Sequence, residues 1–442
     1  MRQHRVRAGV LFLAIVWLGL LFPRPVGADE PVFPEPPDLV PLVDFWVEIF
    51  TERSRDWTVL HDRDDPDIRY ETVHTGGMSE SQRRTHLRNR RRHYAGLLEN
   101  LAIKTEDRWT EAEGRIAAMF PESADTKRYL EAAGRIRSQR GIRDRFREGL
   151  VRSGRWHAAI ERILASYEIP TELAVLPHVE SSFNPYARSK AGAVGAWQFT
   201  AGTGKRYLRI DRHLDERHDI YVSTHAAARY LRDAHAKIGA WPLTVTAYNH
   251  GVNGVLRAQR ELGTSDIGRM IREYDGPYFG FASKNFYAEF LAALRIARDP
   301  DAYFTNLAFE PEEEVDHFVL PSPSRFPALA RAFGCDEEEL RALNPALADR
   351  VVSGRWGAPA GAVINVPRDR VPDLAEAYLA LPEGDRNVPI EPDRYRVRWG
   401  DTLSSIARKH GVSVADLQEF NGMGRSTRIL AGQRIEIPPP PR

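Results

Sequence analysis

The feature that most restricts the fold is a repeat in the C-terminal third. Ala328–Asn344 (ALARAFGCDEEELRALN) aligns without gaps on Ser405–Asn421 (SIARKHGVSVADLQEFN), 77 positions later, with five of 17 residues identical. After a gap six residues longer in the first copy, Ala360–Pro367 (AGAVINVP) aligns on Ala431–Pro438 (AGQRIEIP), with four of eight identical. A recurring unit of this size is one supersecondary motif, read here as two short helices closed by a strand ending in Pro. Asp336 with Glu339, and Ser413 with Asp416, place an N-cap and an acidic third residue before the second helix of each copy. In the second copy Tyr395-Arg396-Val397 alternates as a first strand, and Gly400-Asp401 turns into the first helix. The single cysteine, Cys335, falls on the position of Val412 and reads as a small hydrophobe. One cysteine also excludes a disulfide framework and any multi-cysteine metal site.

Upstream, Arg2, Arg5 and Arg7 precede an apolar run from Val10 to Phe22, and Val26-Gly27-Ala28 offers a small-residue cleavage site. That pattern is a secretory signal ending near Ala28; the run is short for a span that needs about 20 residues. Lys+Arg total 62 and Asp+Glu 61, which argues against a dedicated nucleic-acid binder. The leader holds four Arg and no acid, so the remainder has 58 basic and 61 acidic residues and is slightly acidic. Residues 29–41 are Pro-rich and read as a tether, and 370–392 as a second linker. Between them the pattern is mainly helical. Six of the ten residues Arg83–Arg92 are Arg, which reads first as a solvated helix face and second as a patch for an anionic polymer or membrane surface.

The chemistry concentrates in TELAVLPHVESSF, residues 171–183. At 100° per residue Glu180 lies within about 20° of Leu173 and about 60° of Leu176, an acid on an apolar stripe, although Pro177 makes the angle approximate. Such an acid either pairs with a base or stays protonated, and a protonated acid at neutral pH is what glycoside cleavage requires. Periodicity alone leaves both readings open. Gly192-Ala-Val-Gly195-Ala196-Trp197-Gln198-Phe199 sets glycines before a polar residue between aromatics, and Ala247-Tyr248-Asn249-His250-Gly251 ends a helical stretch. The 14 His residues show no ligand spacing, so no metal and no cofactor are expected.

In this order, Glu180-Ser181, Gly195-Ala196-Trp197-Gln198 and Ala247-Tyr248-Asn249 resemble the motifs of lytic transglycosylases of the soluble-lytic-transglycosylase type, over about 155–300. Asn184-Pro185 and Gly202-Thr203-Gly204 agree with that resemblance. There are two departures. No lipid-attachment cysteine follows the leader, unlike in lipidated members. The family's Glu-Thr-x-x-Tyr element appears as Ser283-Lys284-Asn285-Phe286-Tyr287, which keeps Tyr287 without a gap and substitutes Phe286 after a one-residue slip. The second C-terminal copy resembles a LysM domain, on Tyr395–Val397, Gly400-Asp401-Thr402-Leu403, Ile406-Ala407, Leu417, Asn421 and Gly432-Gln433. The first copy reads Ser-Arg-Phe-Pro at the Gly-Asp-Thr-Leu entrance, so it is expected to keep the fold without the sugar site.

These resemblances imply a mainly α chain. Its parts are a signal at 1–28, a mostly helical lead-in at 29–154 and a lysozyme-like α+β catalytic domain at 155–310. Small βααβ LysM modules follow at 316–369 (degenerate) and 393–438. They imply an enzyme that cleaves the bond from N-acetylmuramic acid to N-acetylglucosamine in peptidoglycan and closes a 1,6-anhydro ring. Glu180 would be catalytic, Ser181, Gln198, Tyr248, Asn249 and Tyr287 substrate-binding, and Gly400, Asp401, Thr402, Leu403 and Asn421 glycan-binding. Asp211, Asp215, Glu216 and Asp219 are in range by sequence but read as solvated. The implied partners are peptidoglycan strands in the periplasm or cell envelope, with no nucleic acid and no membrane span after signal cleavage. A goose-type lysozyme-like hydrolase and a non-catalytic glycan-binding scaffold stand as alternatives. The intact Glu180, Gln198 and Tyr248 weigh against the scaffold, and the lack of a second motif carboxylate weighs against the hydrolase.

Overall fold

The structure is a computed structural model that describes residues 31–388 and 393–438. The leader, residues 389–392 and the Pro run beyond 438 lie outside the described residues. The Pro-rich segment read as a tether is packed from residue 31 onward, which corrects that reading. Phe33 and Leu39 are buried in the main core, and a Pro carbonyl, unlike its nitrogen, remains free to accept. Pro34 O accepts from the Tyr287 hydroxyl at 2.7 Å, and Glu35 pairs with Arg295. The first helix, α1 (Val40–Thr51), then sets Phe45, Trp46, Ile49 and Phe50 into the same core.

The lead-in combines helices with a three-stranded sheet, whose first two strands fall in the short aromatic and β-branched runs of residues 45–73. A hairpin of β1 (Trp57–Asp62) and β2 (Arg69–His74) is followed by α2 (Glu80–Ile103), which Ser79 and Gln82 open with a reciprocal capping box. After α3 (Glu111–Ala117) and α4 (Thr126–Arg135), β3 (Ile136–Arg140) returns antiparallel to β1, giving the order β2-β1-β3. The sequence IRSQR has no apolar alternation; its register is set by long-range pairing, Leu60 facing Ser138. A satellite core of Leu60, Tyr70, Leu98, Leu101 and Tyr129 joins the sheet to α2 and α4. On α2, Arg83 pairs with Glu80 and Arg90 with Glu71, while Arg84, Arg88, Arg91 and Arg92 are exposed.

The central region runs α5 (Arg143–Ser153), α6 (His157–Ser166), α7 (Leu176–Ser181), α8 (Ala201–Gly204), α9 (Ile220–Ile238), α10 (Trp241–His250), α11 (Val252–Leu262), α12 (Ile267–Glu273) and α13 (Phe281–Arg298). Helix α13 is its axis, packing on α1, α7 and α10. Burying an apolar helix on all sides needs fixed polar contacts, and Asn285 supplies one by accepting from Trp46 Nε1 at 2.8 Å. Among the described residues no helix is long and apolar enough to cross a membrane.

Both repeats form as the pattern predicts. The first comprises β4 (Val315–Val319), α14 (Phe326–Ala332), α15 (Glu337–Leu343), α16 (Asp349–Val352) and β5 (Val363–Pro367). Helices α17 (Leu374–Leu379) and α18 (Glu383–Arg386) follow it. The second comprises β6 (Asp393–Arg396), α19 (Leu403–His410), α20 (Val414–Phe420) and β7 (Arg434–Ile437). Strands pair antiparallel within each copy. Residues 370–388 are not a bare linker: Tyr378 and Leu381 complete the first repeat's core, against which Cys335 is half-buried. The extra residues of the first copy dock on the central region. There Asp215 N–H donates to Ala346 O and Ala348 N–H to His213 O, at 2.8 and 2.9 Å, and Leu214 enters the repeat's core.

Candidate active site

Pro177 interrupts the helical run 171–183 and opens the helix that carries Glu180. A 3₁₀ turn, Thr171–Val175, leads into α7, and Pro177 falls in the first turn, where its missing N–H has no helical partner to lose. The chain then leaves α7 through two consecutive non-glycine residues in the left-handed region, Ser182 and Phe183, both at φ 55°. Each costs about 1–2 kcal/mol and persists only where its surroundings fix it. Here Ser182 N–H donates to His178 O, Phe183 N–H to Pro177 O, and Arg152 to Ser182 O at 3.1 Å. Phe183 is fully buried, and burial, then the nearby His157 and Arg152, push the His178 imidazole down to about 3, so it stays neutral.

Ser181 ties this segment to the next. Its hydroxyl lies 2.8 Å from Ala196 O and accepts from Asn184 N–H at 3.2 Å. Only 1% of the residue is exposed, so it does not face a ligand as the family resemblance implies; it holds the loop. Gly195, at φ 84°, presses on the Arg217 carbonyl so closely that a Cβ has no room. Arg217 in turn holds Phe199 O at 3.2 Å while paired bidentately with Asp215, at 2.7 and 2.8 Å. Gln198 is again left-handed, at φ 50°, and its amide nitrogen turns back to Gly195 O at 2.7 Å. The Gln198 amide oxygen has no protein partner among the described residues.

The Tyr248 hydroxyl donates to Trp197 O at 2.8 Å, from the end of α10. Burial, then the Glu180 carboxylate, hold that phenol well above its ordinary range, so Tyr248 stays neutral beside Glu180. Asn249 is exposed at the rim, its side-chain oxygen 3.5 Å from Ser283 Oγ. The structure thus brings Glu180, Ser181, Gln198 and Tyr248 together, with Asn249 beside them. Tyr287 is not among them. It is fully buried with its hydroxyl bound to Pro34, and Phe286, the alternative, is buried and carries no hydroxyl.

The acids read as solvated are not. Asp219 caps α9 through Val222 N–H and accepts from Asn365 Nδ2, both at 2.8 Å. Asp211 pairs with Arg209 at 2.6 Å, Asp215 with Arg217, and Glu216 accepts from Arg209 N–H at 2.6 Å. All four are structural clamps of the loop before α9.

One acid was missed. Glu289 sits on α13, between buried Ala288 and Phe290, and α13 packs on α7. Like Glu180 it is half-buried, and neither carboxyl has a hydrogen bond or ion pair among the described residues. Burial, then the charge of Glu289, push Glu180 up to about 8; burial, against the pull of Arg137, pushes Glu289 up to about 8. The signal was present: Glu289 is the one acid in Phe286–Ile296 (FYAEFLAALRI), the same anomaly that marks Glu180. At pH 7 the cluster holds a protonated carboxylic acid open to solvent, which can donate a proton to an oxygen and take one back.

In the second repeat several of the implied glycan contacts are engaged within the fold. Asn421 donates to Leu417 O and Glu436 O and accepts from Glu436 N–H, and Asn344 makes the same three bonds in the first copy. It is therefore a clamp of the fold. Asp401 accepts from Tyr395 OH and Arg398 N–H, at 2.9 and 2.7 Å; Thr402 caps α19, and Leu403 is 1% exposed. Gly400, at φ 86°, and Thr402 are exposed, and beside them Trp399 is 94% exposed. Among the described residues no group of three or more His, Cys, Asp or Glu is placed to hold a metal ion.

Two segments of the chain match known protein families. Residues 158–271 match the transglycosylase SLT domain and 395–438 the LysM domain. The chain is 32% identical over 279 residues to membrane-bound lytic murein transglycosylase D of Escherichia coli (strain K12), covering 61% of this chain and 60% of that protein's length. It is 43% identical over 51 residues to N-acetylmuramoyl-L-alanine amidase XlyB of Bacillus subtilis (strain 168), covering 12% and 16%. An inactive mutant of lytic transglycosylase Slt from Pseudomonas aeruginosa aligns over 52% of this chain and 34% of its own, at 16% identity and TM-score 0.27.

Proposed function

We propose that this chain, which carries a transglycosylase SLT domain and a LysM domain, is a peptidoglycan lytic transglycosylase of the cell envelope. The observation that carries the reading is Glu180: a carboxyl with no protein partner among the described residues, raised by burial and by Glu289, beside the Gln198 loop and Tyr248. Glu180 donates its proton to the oxygen joining N-acetylmuramic acid to N-acetylglucosamine as the C1–O bond breaks. Positive charge then spreads over C1 and the ring oxygen. The Glu180 carboxylate removes the proton from the muramoyl 6-hydroxyl, and O6 bonds to C1. The acid is regenerated and no water is consumed.

Gln198, through its amide oxygen, and Asn249 at the rim hold the sugar, while Tyr248 holds the Gln198 loop against Glu180. Ser181 and Tyr287, given to the substrate by resemblance, act through the fold instead. The second repeat binds the wall through Gly400 and the exposed Trp399, whose flat face suits the apolar side of a pyranose. The leader at 1–28 directs export.

One observation favours a second reading. Glu289 supplies a second carboxyl, and with a held water the same site becomes a hydrolase. Digesting purified sacculi and weighing the muropeptides separates the two: transglycosylation yields products lighter by one water, without reducing ends. Reducing muramoyl ends alone would overturn the first reading, and Glu180→Gln with unchanged turnover would overturn both.

A further inference from the structure

The segment after α8, the side of α9, strand β5 of the first repeat and the end of α19 in the second border a cavity of about 600 Å³. That size is within the range of ligand pockets. Its charge is one-sided. Lys205, Arg206, Arg209, Arg229, Arg408 and His410 line it, and among the described residues Glu216 is the one acid that does. The Glu216 carboxylate is already engaged, accepting from Arg209 N–H at 2.6 Å.

Several of these bases have donors to spare. The Arg209 side chain is only 10% exposed; it pairs with Asp211 and donates through Nη1 to Ala360 O at 3.1 Å, but its Nη2 is buried with no hydrogen-bond partner. His410 Nε2, across the cavity, is buried and unpartnered in the same way. Arg229 donates to two carbonyls, Tyr207 O at 2.7 Å and His225 O at 3.3 Å, which cancel no charge. Arg206 and Arg408 are exposed, and their side chains make no hydrogen bond or ion pair among the described residues. The dipole of α19 accounts for Arg408 and His410, which sit in its last turn. It does not account for Arg206, Arg209 and Arg229, which line the same cavity from the central region. Lys205 Nζ joins the two sides by donating to Lys409 O at 2.6 Å.

We propose that this cavity binds the carboxylates that muramoyl residues carry on their lactyl arm, in a stem peptide or as bare lactate. It thereby adds an anion site between the catalytic segment and the wall-binding repeat. The proposal deepens the peptidoglycan reading and rests on it, since carboxylates are the anions that polymer supplies. Guanidinium forks match carboxylates, and a positive cavity with protein walls concentrates anions. The placement suits a strand bound for cleavage: α8, from which Lys205 and Arg206 follow, opens directly after the Gln198 loop at its cap Thr200.

The test is a binding titration with three probes. They are soluble glycan strands bearing peptides, the same strands stripped of peptide by an amidase, and a chitin hexamer, which has no carboxylate. The proteins are Glu180→Gln, which leaves strands whole, and the same chain with Arg206→Gln and Arg408→Gln added. Both arginines are exposed, so the added changes spare the fold. They weaken binding of peptide-bearing strands about five- to tenfold at low salt and less at high salt, and leave the hexamer unaffected. A matching loss on stripped strands assigns the site to the lactate, and a loss confined to peptide-bearing strands assigns it to the peptide. Unchanged binding of both kinds of strand overturns the proposal. So does an equal loss on the hexamer, which would make the substitutions a lesion of the repeat. A Glu180→Gln chain that binds neither strands nor hexamer overturns the peptidoglycan reading itself, and the product masses of the parent enzyme test its lytic chemistry separately.

Discussion

Tyr287→Phe separates what the motif implies from what the structure shows. The ring is fully buried and stacks near Phe290 with centroids 6.2 Å apart, so Phe keeps the packing and removes only the hydroxyl. That hydroxyl donates to Pro34 O at 2.7 Å. A net hydrogen bond is worth about 0.5–1.5 kcal/mol, and leaving a buried acceptor bare adds about 1–3. Pro34 is half-exposed, so its carbonyl regains water, and the sum falls at about 1–2 kcal/mol. At about 2–4 °C per kcal/mol for a unit of 150–250 residues, the melting temperature drops by roughly 2–8 °C. Differential scanning calorimetry reads the drop, and muropeptide release at 25 °C reads the chemistry, which stays within about twofold because no hydroxyl is lost from the Glu180 cluster. Undiminished stability with a loss of about 100-fold in turnover, the scale of a missing proton-transfer group, would refute this placement of Tyr287.

Three further outcomes follow. Glu180→Gln raises the melting temperature by several degrees at pH 8.5 and not at pH 4. The folded-state pKa of about 8 lies above the ordinary 4.5, so the acid's contribution to stability is present at low pH and lost as pH rises through 8; equal gains at both pH values would contradict that sign. Gly195→Ala lowers stability by at least about 2 kcal/mol in urea titrations, because φ 84° and the Arg217 carbonyl both oppose a Cβ; a neutral effect would mean the loop is not held as described. Trp399→Ala reduces sacculus pull-down at least several-fold with the module's melting temperature unchanged, whereas Asn421→Ala lowers that temperature; the reverse pattern would return Asn421 to the glycan.

The sequence showed what local rules control. The repeat, its caps and its strands follow from pattern and punctuation, and Glu180 stood out as an acid on an apolar stripe. What escaped was set by contacts between distant segments. Nothing local in a Pro-rich run says that residue 34 receives a hydroxyl from residue 287, or that a strand lies in IRSQR. The acids of 211–219 resemble a solvated loop until Arg209, Arg217 and Asn365 are placed around them. The motifs do not show how their residues are held: Ser181, Asn421 and Tyr287 look like ligand contacts, and each hydrogen-bonds within the fold. Glu289 was missed because no motif points to it, although the reasoning applied to Glu180 applies to it unchanged.

The docking of the first repeat also sets a schedule. The loop that clamps Gln198 through Arg217 is braced by Ala346, Ala348 and Asn365, which lie far downstream in the chain. At about 5–20 residues per second of synthesis, Asn365 emerges roughly 7–30 s after Asp219. Until then the nascent chain holds Glu180 without that brace on the loop beside it. A chain assembled this way is completed late in its own synthesis, and one cut short before residue 365 would lack the brace.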